Sequence, residues 1–89
     1  MRFRDWIESL KDRAGRARIL VRIDRLAHGN PGAHRMLAGG IRELKIDFGP
    51  GYRVYYTERG GELIVLLAGG DKSTQQEDLR IARTLAKEL

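Results

Sequence analysis

Apolar residues recur along this chain in two rhythms, helical at both ends and alternating in the middle. Phe3, Trp6, Ile7 and Leu10 fall at helical spacing and predict a short first helix. Gly15 allows a break. Ile19, Leu20, Ile23, Leu26 and Ala27 then form a second amphipathic stripe, with Arg18, Arg22 and Arg25 lining the opposite side in steps of four and three. The two helices are expected to pair as a hairpin. Gly29, Asn30, Pro31 and Gly32 end the second one: Gly29 is placed to cap it, and Pro31 cannot continue it. Residues 28 to 40 read as a Gly-rich loop.

The rhythm changes at Glu43. The run ELKIDF, a GPG turn, YRVYYTE, a GG turn and ELIVLLAGG gives two alternating strands and then a strand apolar at nearly every position. This is an antiparallel meander. Leu44, Ile46 and Phe48 on one strand and Tyr52, Val54 and Tyr56 on the next must point inward, so Lys45, Arg53 and Tyr55 are expected to point away from the core. The last strand, Leu63 to Ala68, has no polar face and is expected to be central and covered on both sides. Beyond Gly69 and Gly70, Ser73 with Gln76 or Thr74 with Glu77 supplies a capping-box pattern. Leu79, Ala82, Leu85, Ala86 and Leu89 follow as the stripe of a third helix. The expected class is α+β, in the order ααβββα.

At 89 residues the chain reads as one domain, residues 1–89, small enough that its core must be compact. Its net charge of +5 is unevenly spread. Residues 1 to 35 hold nine Lys or Arg against four Asp or Glu, whereas eight of each balance over residues 36 to 89. A basic excess confined to one part points to nucleic acid or an acidic protein partner, although a solvated helix face is the plainer reading for any single arginine. There is no cysteine, and no apolar run approaches the roughly 20 residues of a membrane helix. The start MRFRDWIESL is amphipathic rather than a signal-peptide core, and a cytoplasmic protein is expected.

Metal chemistry has no signature here. No His, Asp or Glu pair has metal-site spacing, and HExxH and CxxC are absent, so neither a metal nor a cofactor is expected. The glycines of GPG and GG read as turn residues. His28 closes the second helix and His34 lies in the loop, positions that are more often structural than catalytic. Trp6, Tyr52 and Tyr56 read as core. A sheet face carrying cations and a phenol, by contrast, suits an anionic ligand.

The run FGPGYRVYY, the preceding GNPG, and the strand ending LLAGGDKSTQ before a C-terminal helix resemble the HigB-like branch of the RelE/ParE toxin superfamily, the addiction-module killer proteins. The resemblance runs from about Phe3 to Leu89. It implies a toxin neutralised by an antitoxin from an adjacent gene, most relatives cleaving mRNA, commonly on the ribosome, and one branch poisoning DNA gyrase; cleavage by this chain is expected to be metal-independent. In that light Arg53 matches the arginine that contacts the scissile phosphate, Lys45 a basic residue on the neighbouring strand, and Lys72 a basic catalytic residue before the last helix. Tyr55 and Asp71 are the proton-transfer candidates, with a cap of the third helix an equal reading for Asp71, while Arg18, Arg22 and Arg25 are expected to steer RNA. A structural alternative has Arg53 pairing with Glu43 or Asp47 across the hairpin.

Four departures stand out. Relatives begin with a further strand before the helix that starts near Phe3, so the sheet here would lack its first strand. The family's second lysine on the Lys45 strand is replaced by Asp47, and its C-terminal tyrosine by Asp78. The loop reads GNPGAHRMLAGG and differs from the family's run at several positions. A ParE-like, non-enzymatic gyrase inhibitor and an inactive relative that only binds its antitoxin are the alternatives to a ribosome-dependent mRNA endonuclease.

Overall fold

A computed structural model describes residues 1–89 as a twisted sheet with helices on both faces. The order is α1 (Phe3–Ser9), α2 (Arg13–Ala27), β1 (His34–Met36), β2 (Arg42–Ile46), β3 (Tyr52–Arg59), β4 (Leu63–Asp71) and α3 (Gln75–Lys87), with short 3-10 turns at Ala38–Gly40 and Lys72–Thr74. The α+β class and the two leading helices, meander and last helix agree with the sequence pattern. The sheet has four antiparallel strands rather than three, in the order β1-β2-β3-β4. The extra strand, β1, comes from the Gly-rich segment. Its three residues are all exposed, so no apolar alternation announced it.

Two cores lie on opposite faces of the sheet. On one, Trp6 and Ile7 of α1 and Ile19 and Leu26 of α2 pack against Leu44, Ile46, Tyr52, Val54 and Tyr56. On the other, Ala82 of α3 packs against Ile41, Tyr55, Leu67 and Ala68. The three strand-face residues expected to point inward from β3 do so. Helix α1 lies along β4 and α2 along β2, so each helix is held by the sheet and the expected pairing of the two with one another is not the main contact. Gly15 lies inside α2, where an added Cβ would stand 2.5 Å from the Tyr52 ring; the break between the helices falls before Arg13.

Strand β4 is not central. It is the outer strand, covered on both faces along its second half, and its free edge meets residues 1–2, with Arg2 bridging to Ala68 and the Gly69 amide donating to the Met1 carbonyl at 3.0 Å. This pairing stands where the resemblance expects a further strand. Gly69 and Gly70 explain why the apolar run ends as it does. A Cβ on Gly69 would lie 2.0 Å from the Trp6 ring, and one on Gly70 would lie 1.8 Å from an Asp78 carboxylate oxygen. Without side chains there, α1 and α3 can press directly onto the backbone of β4 from opposite sides.

Candidate functional site

The register of the central hairpin puts two cations face to face. Lys45 on β2 is the direct partner of Arg53 on β3, and like charges directly opposite one another destabilise a sheet. Lys72, just after β4, joins them. Together with Asp47 and the Gly49 to Gly51 turn they line an open cleft of about 520 Å³. Gly51 has a φ of +82°, in the left-handed region, and a side chain there would stand 3.3 Å from Arg53 Nη1 and 3.5 Å from Lys72 Cβ. The turn therefore closes tightly enough to bring the two cations to one place.

Arg53 is held rather than loose. Its side chain is only 11% exposed, and Nη1 donates to the carbonyls of Gly51 at 3.0 Å and Tyr52 at 3.1 Å. Its Nε lies 4.0 Å from Glu43 Oε1 and is buried without a hydrogen-bond partner. The cross-strand pairing with Glu43 weighed from the sequence is thus present as a loose ion pair. Asp47 makes no ion pair with Arg53.

Glu43 itself is 1% exposed and organises this side of the sheet. It accepts from Arg35 Nε at 3.0 Å and from Gln75 Nε2 at 3.2 Å, joining β1 and the first residue of α3 to β2. Burial opposes its ionisation, but the Arg35 hydrogen bond and charge, with help from Gln75, hold the carboxyl below its usual range. Sequence reading assigned no role to Arg35 and weighed Glu43 only as a partner of Arg53. The signal available was an acid on the same alternating face as Lys45 and Arg53.

Other residues fall elsewhere. Tyr55, expected to face outward, is fully buried in the α3-side core, because α3 covers that part of the face. Its hydroxyl is buried without a hydrogen-bond partner, and burial followed by the Glu43 carboxylate pushes its ionisation well up. It does not line the cleft. Asp71 does not line it either: its carboxylate accepts from the Ser73 amide at 2.8 Å and caps the 3-10 turn that leads into α3, with Thr74 completing a capping box. That box is neither of the two pairs read from the sequence. Asp78 is buried over Gly70, accepting from Thr74 Oγ1 and from the Met1 amino group.

The α2 arginines differ from one another. Arg22 is a clamp: it donates to the carbonyls of Lys45 at 2.7 Å, Pro31 at 2.9 Å and Ala33 at 2.9 Å, fixing the Gly-rich segment against β2. Its guanidinium is spent on the fold, which corrects the expectation of a free RNA-steering residue. Arg18 lies over the Phe48 ring at 4.4 Å, and Arg25 is exposed. His28 and His34 each bond a nearby carbonyl, of Asp24 and Gly32, and neither lines the cleft. No group of three or more His, Asp and Glu side chains is placed to hold a metal ion. No helix is long and apolar enough to cross a membrane.

Sheet, helices and cleft define a small α+β protein with three cations converging on one face of an antiparallel sheet. The chain belongs to the family described as phage derived protein Gp49-like (DUF891), whose model matches residues 5–87. That family is associated with toxin-antitoxin modules and related to RelE-type toxins. A Haemophilus influenzae protein described only as uncharacterized is 48% identical over 87 residues, covering 98% of this chain and 88% of the relative. No solved structure matches.

Proposed function

We propose that this chain is the toxin of a type II toxin-antitoxin pair, HigB-like in kind, and that it cleaves mRNA on the ribosome without a metal. The observation that supports this is the opposition of Lys45 and Arg53 with Lys72 beside them in one open cleft. A sheet tolerates facing cations at a cost, and an anion between them removes it. The scissile phosphate of RNA is such an anion.

In this reading the 2′-oxygen attacks the adjacent phosphorus as its proton leaves to a base. The next nucleotide's 5′-oxygen departs with a proton, giving a 2′,3′-cyclic phosphate and a 5′-hydroxyl. Arg53, rigid on its strand, and Lys72 stabilise the added negative charge of the phosphorane, and Lys45 holds the phosphate. Asp47 is the carboxylate that lines the cleft and is the better-placed proton acceptor than Tyr55 or Asp71.

The failure of Tyr55 and Asp71 to reach the cleft favours a second reading, a ParE-like gyrase inhibitor that does no chemistry. Primer extension on a message in a translating extract separates the two, with gyrase supercoiling assayed in parallel. New 5′ ends that vanish in Arg53→Ala and in Lys72→Ala support the nuclease. The Lys72 variant matters because Lys72 is exposed and its truncation should change stability little. Intact message with blocked supercoiling supports gyrase, and neither effect leaves an inactive relative that binds an antitoxin.

A further inference from the structure

Beside the cationic cleft, and sharing Asp47 with it, a second groove of about 540 Å³ runs between α2 and the end of β2. Ala17, Val21, Ile46 and Phe48 line it, and Val21 is 50% exposed. Arg18 and Arg25 stand along its helix side, and neither pairs with a carboxylate. They stand seven positions apart, which is about two helical turns.

We infer that this groove seats an amphipathic helix of a partner protein, with apolar residues against Val21 and Phe48 and acidic residues about two turns apart meeting Arg18 and Arg25. Charge complementarity selects an acidic occupant, since the groove carries Arg18, Arg22 and Arg25 against Asp47 alone. Its apolar floor selects protein over RNA. A single strand binds such a groove by stacking bases on aromatic rings, and the Phe48 ring already carries Arg18 at 4.4 Å. Because Asp47 lines both the groove and the cleft, a helix filling the groove adjoins the Lys45, Arg53 and Lys72 site. A partner seated there controls access to that site. This last step rests on the toxin reading, whereas the docking surface does not.

The test is fluorescence anisotropy with the whole chain and three labelled probes: a synthetic acidic helix bearing a leucine stripe, the same helix with alanine for leucine, and a short single-stranded RNA. The leucine helix is expected to bind at least about tenfold more tightly than the alanine helix. Val21→Glu, on an exposed position, is expected to weaken the leucine helix by about tenfold or more, while Leu20→Glu, which carries the same charge outside the groove, changes it by less than about threefold. Equal binding of the two helices, or equal effects of the two substitutions, overturns the inference. Loss of RNA binding in Val21→Glu with peptide binding untouched also overturns it and makes the groove an RNA surface. None of these readouts depends on cleavage, so a failed nuclease assay and a failed docking assay are distinguishable.

Discussion

The phenol of Tyr52 on β3 donates a 2.7 Å hydrogen bond to the carboxylate of Asp12, the residue that caps α2 by accepting from the Gly15 amide. One side chain thereby fixes where α2 begins over the sheet. The Gly15 amide and then Tyr52 hold Asp12 below its ordinary value of 3.8. The bond to Asp12 and then desolvation push Tyr52 from 10.0 up to about 12. Asp12's contribution to stability is therefore present above pH 3.8 and lost as pH falls through its lower folded value. Tyr52's is present below pH 10.0 and lost as pH rises toward about 12. Tyr52→Phe should reduce both dependences, and urea midpoints measured in acid, at neutrality and in alkali check it. Unchanged acid and alkaline limbs would sink the idea.

Gly69→Ala should prevent normal docking of α1. The new Cβ would meet the Trp6 ring at 2.0 Å, between a strand backbone and a helix that are both fixed. We expect a loss of roughly 3 kcal/mol or more, at the upper end of overpacking effects. Trp6 is the sole tryptophan, so its fluorescence reports the loss directly.

Arg22→Ala should destabilise the chain by about 2–3 kcal/mol, because a partly buried guanidinium serves three carbonyls that are then left unserved. Hydrogen exchange at the Lys45 amide, which donates to the Ala33 carbonyl, should accelerate at the same time. Arg25→Ala should leave both stability and exchange unchanged. Equal behaviour of the two variants would return Arg22 to the solvated helix face.

Lys45→Gln should raise stability while weakening anion binding. Removing one of two facing cations relieves about 0.2–1 kcal/mol of repulsion, and the gain should shrink with added salt. Denaturant titrations in low salt, without and with phosphate, test this. A variant that is less stable in low salt would show that Lys45 and Arg53 do not strain the sheet.

Glu43→Gln should loosen Arg53 without emptying the cleft of charge. The substitution keeps the shape but removes the charge that faces Arg35 and Arg53, and a cost of about 1–3 kcal/mol is expected. Because the Glu43 carboxyl sits below its ordinary value of 4.5, its contribution is present above that pH and lost in stronger acid; the variant should lose this acid dependence. On the proposed nuclease reading, turnover in a cleavage assay should fall more than the affinity for RNA, since Glu43 holds Arg53 and does not itself reach the cleft.

Local pattern was enough for most of the architecture. The periods of Phe3 to Leu10, Ile19 to Leu26 and Leu79 to Leu85, the turns at Gly49 to Gly51 and Gly60 to Gly61, and the alternation of Leu44 to Tyr56 depend on neighbours in sequence, and they specify helices, hairpins and faces. The convergence of Lys45 and Arg53 was legible for the same reason, because strand alternation and a short turn set their register. Tertiary structure decided what covers each face. Tyr55 and Arg53 share one alternating face, yet α3 lies over the first and leaves the second at a cleft edge, and no period in β3 encodes where a helix twenty residues later will lie. Strand β1 exists because Arg22 and the edge of β2 supply partners for a segment with no apolar alternation. The same distinction separates Arg22 from Arg18 and Arg25: all three lie on one side of a helix, and only the carbonyls of a distant loop turn one of them into a clamp.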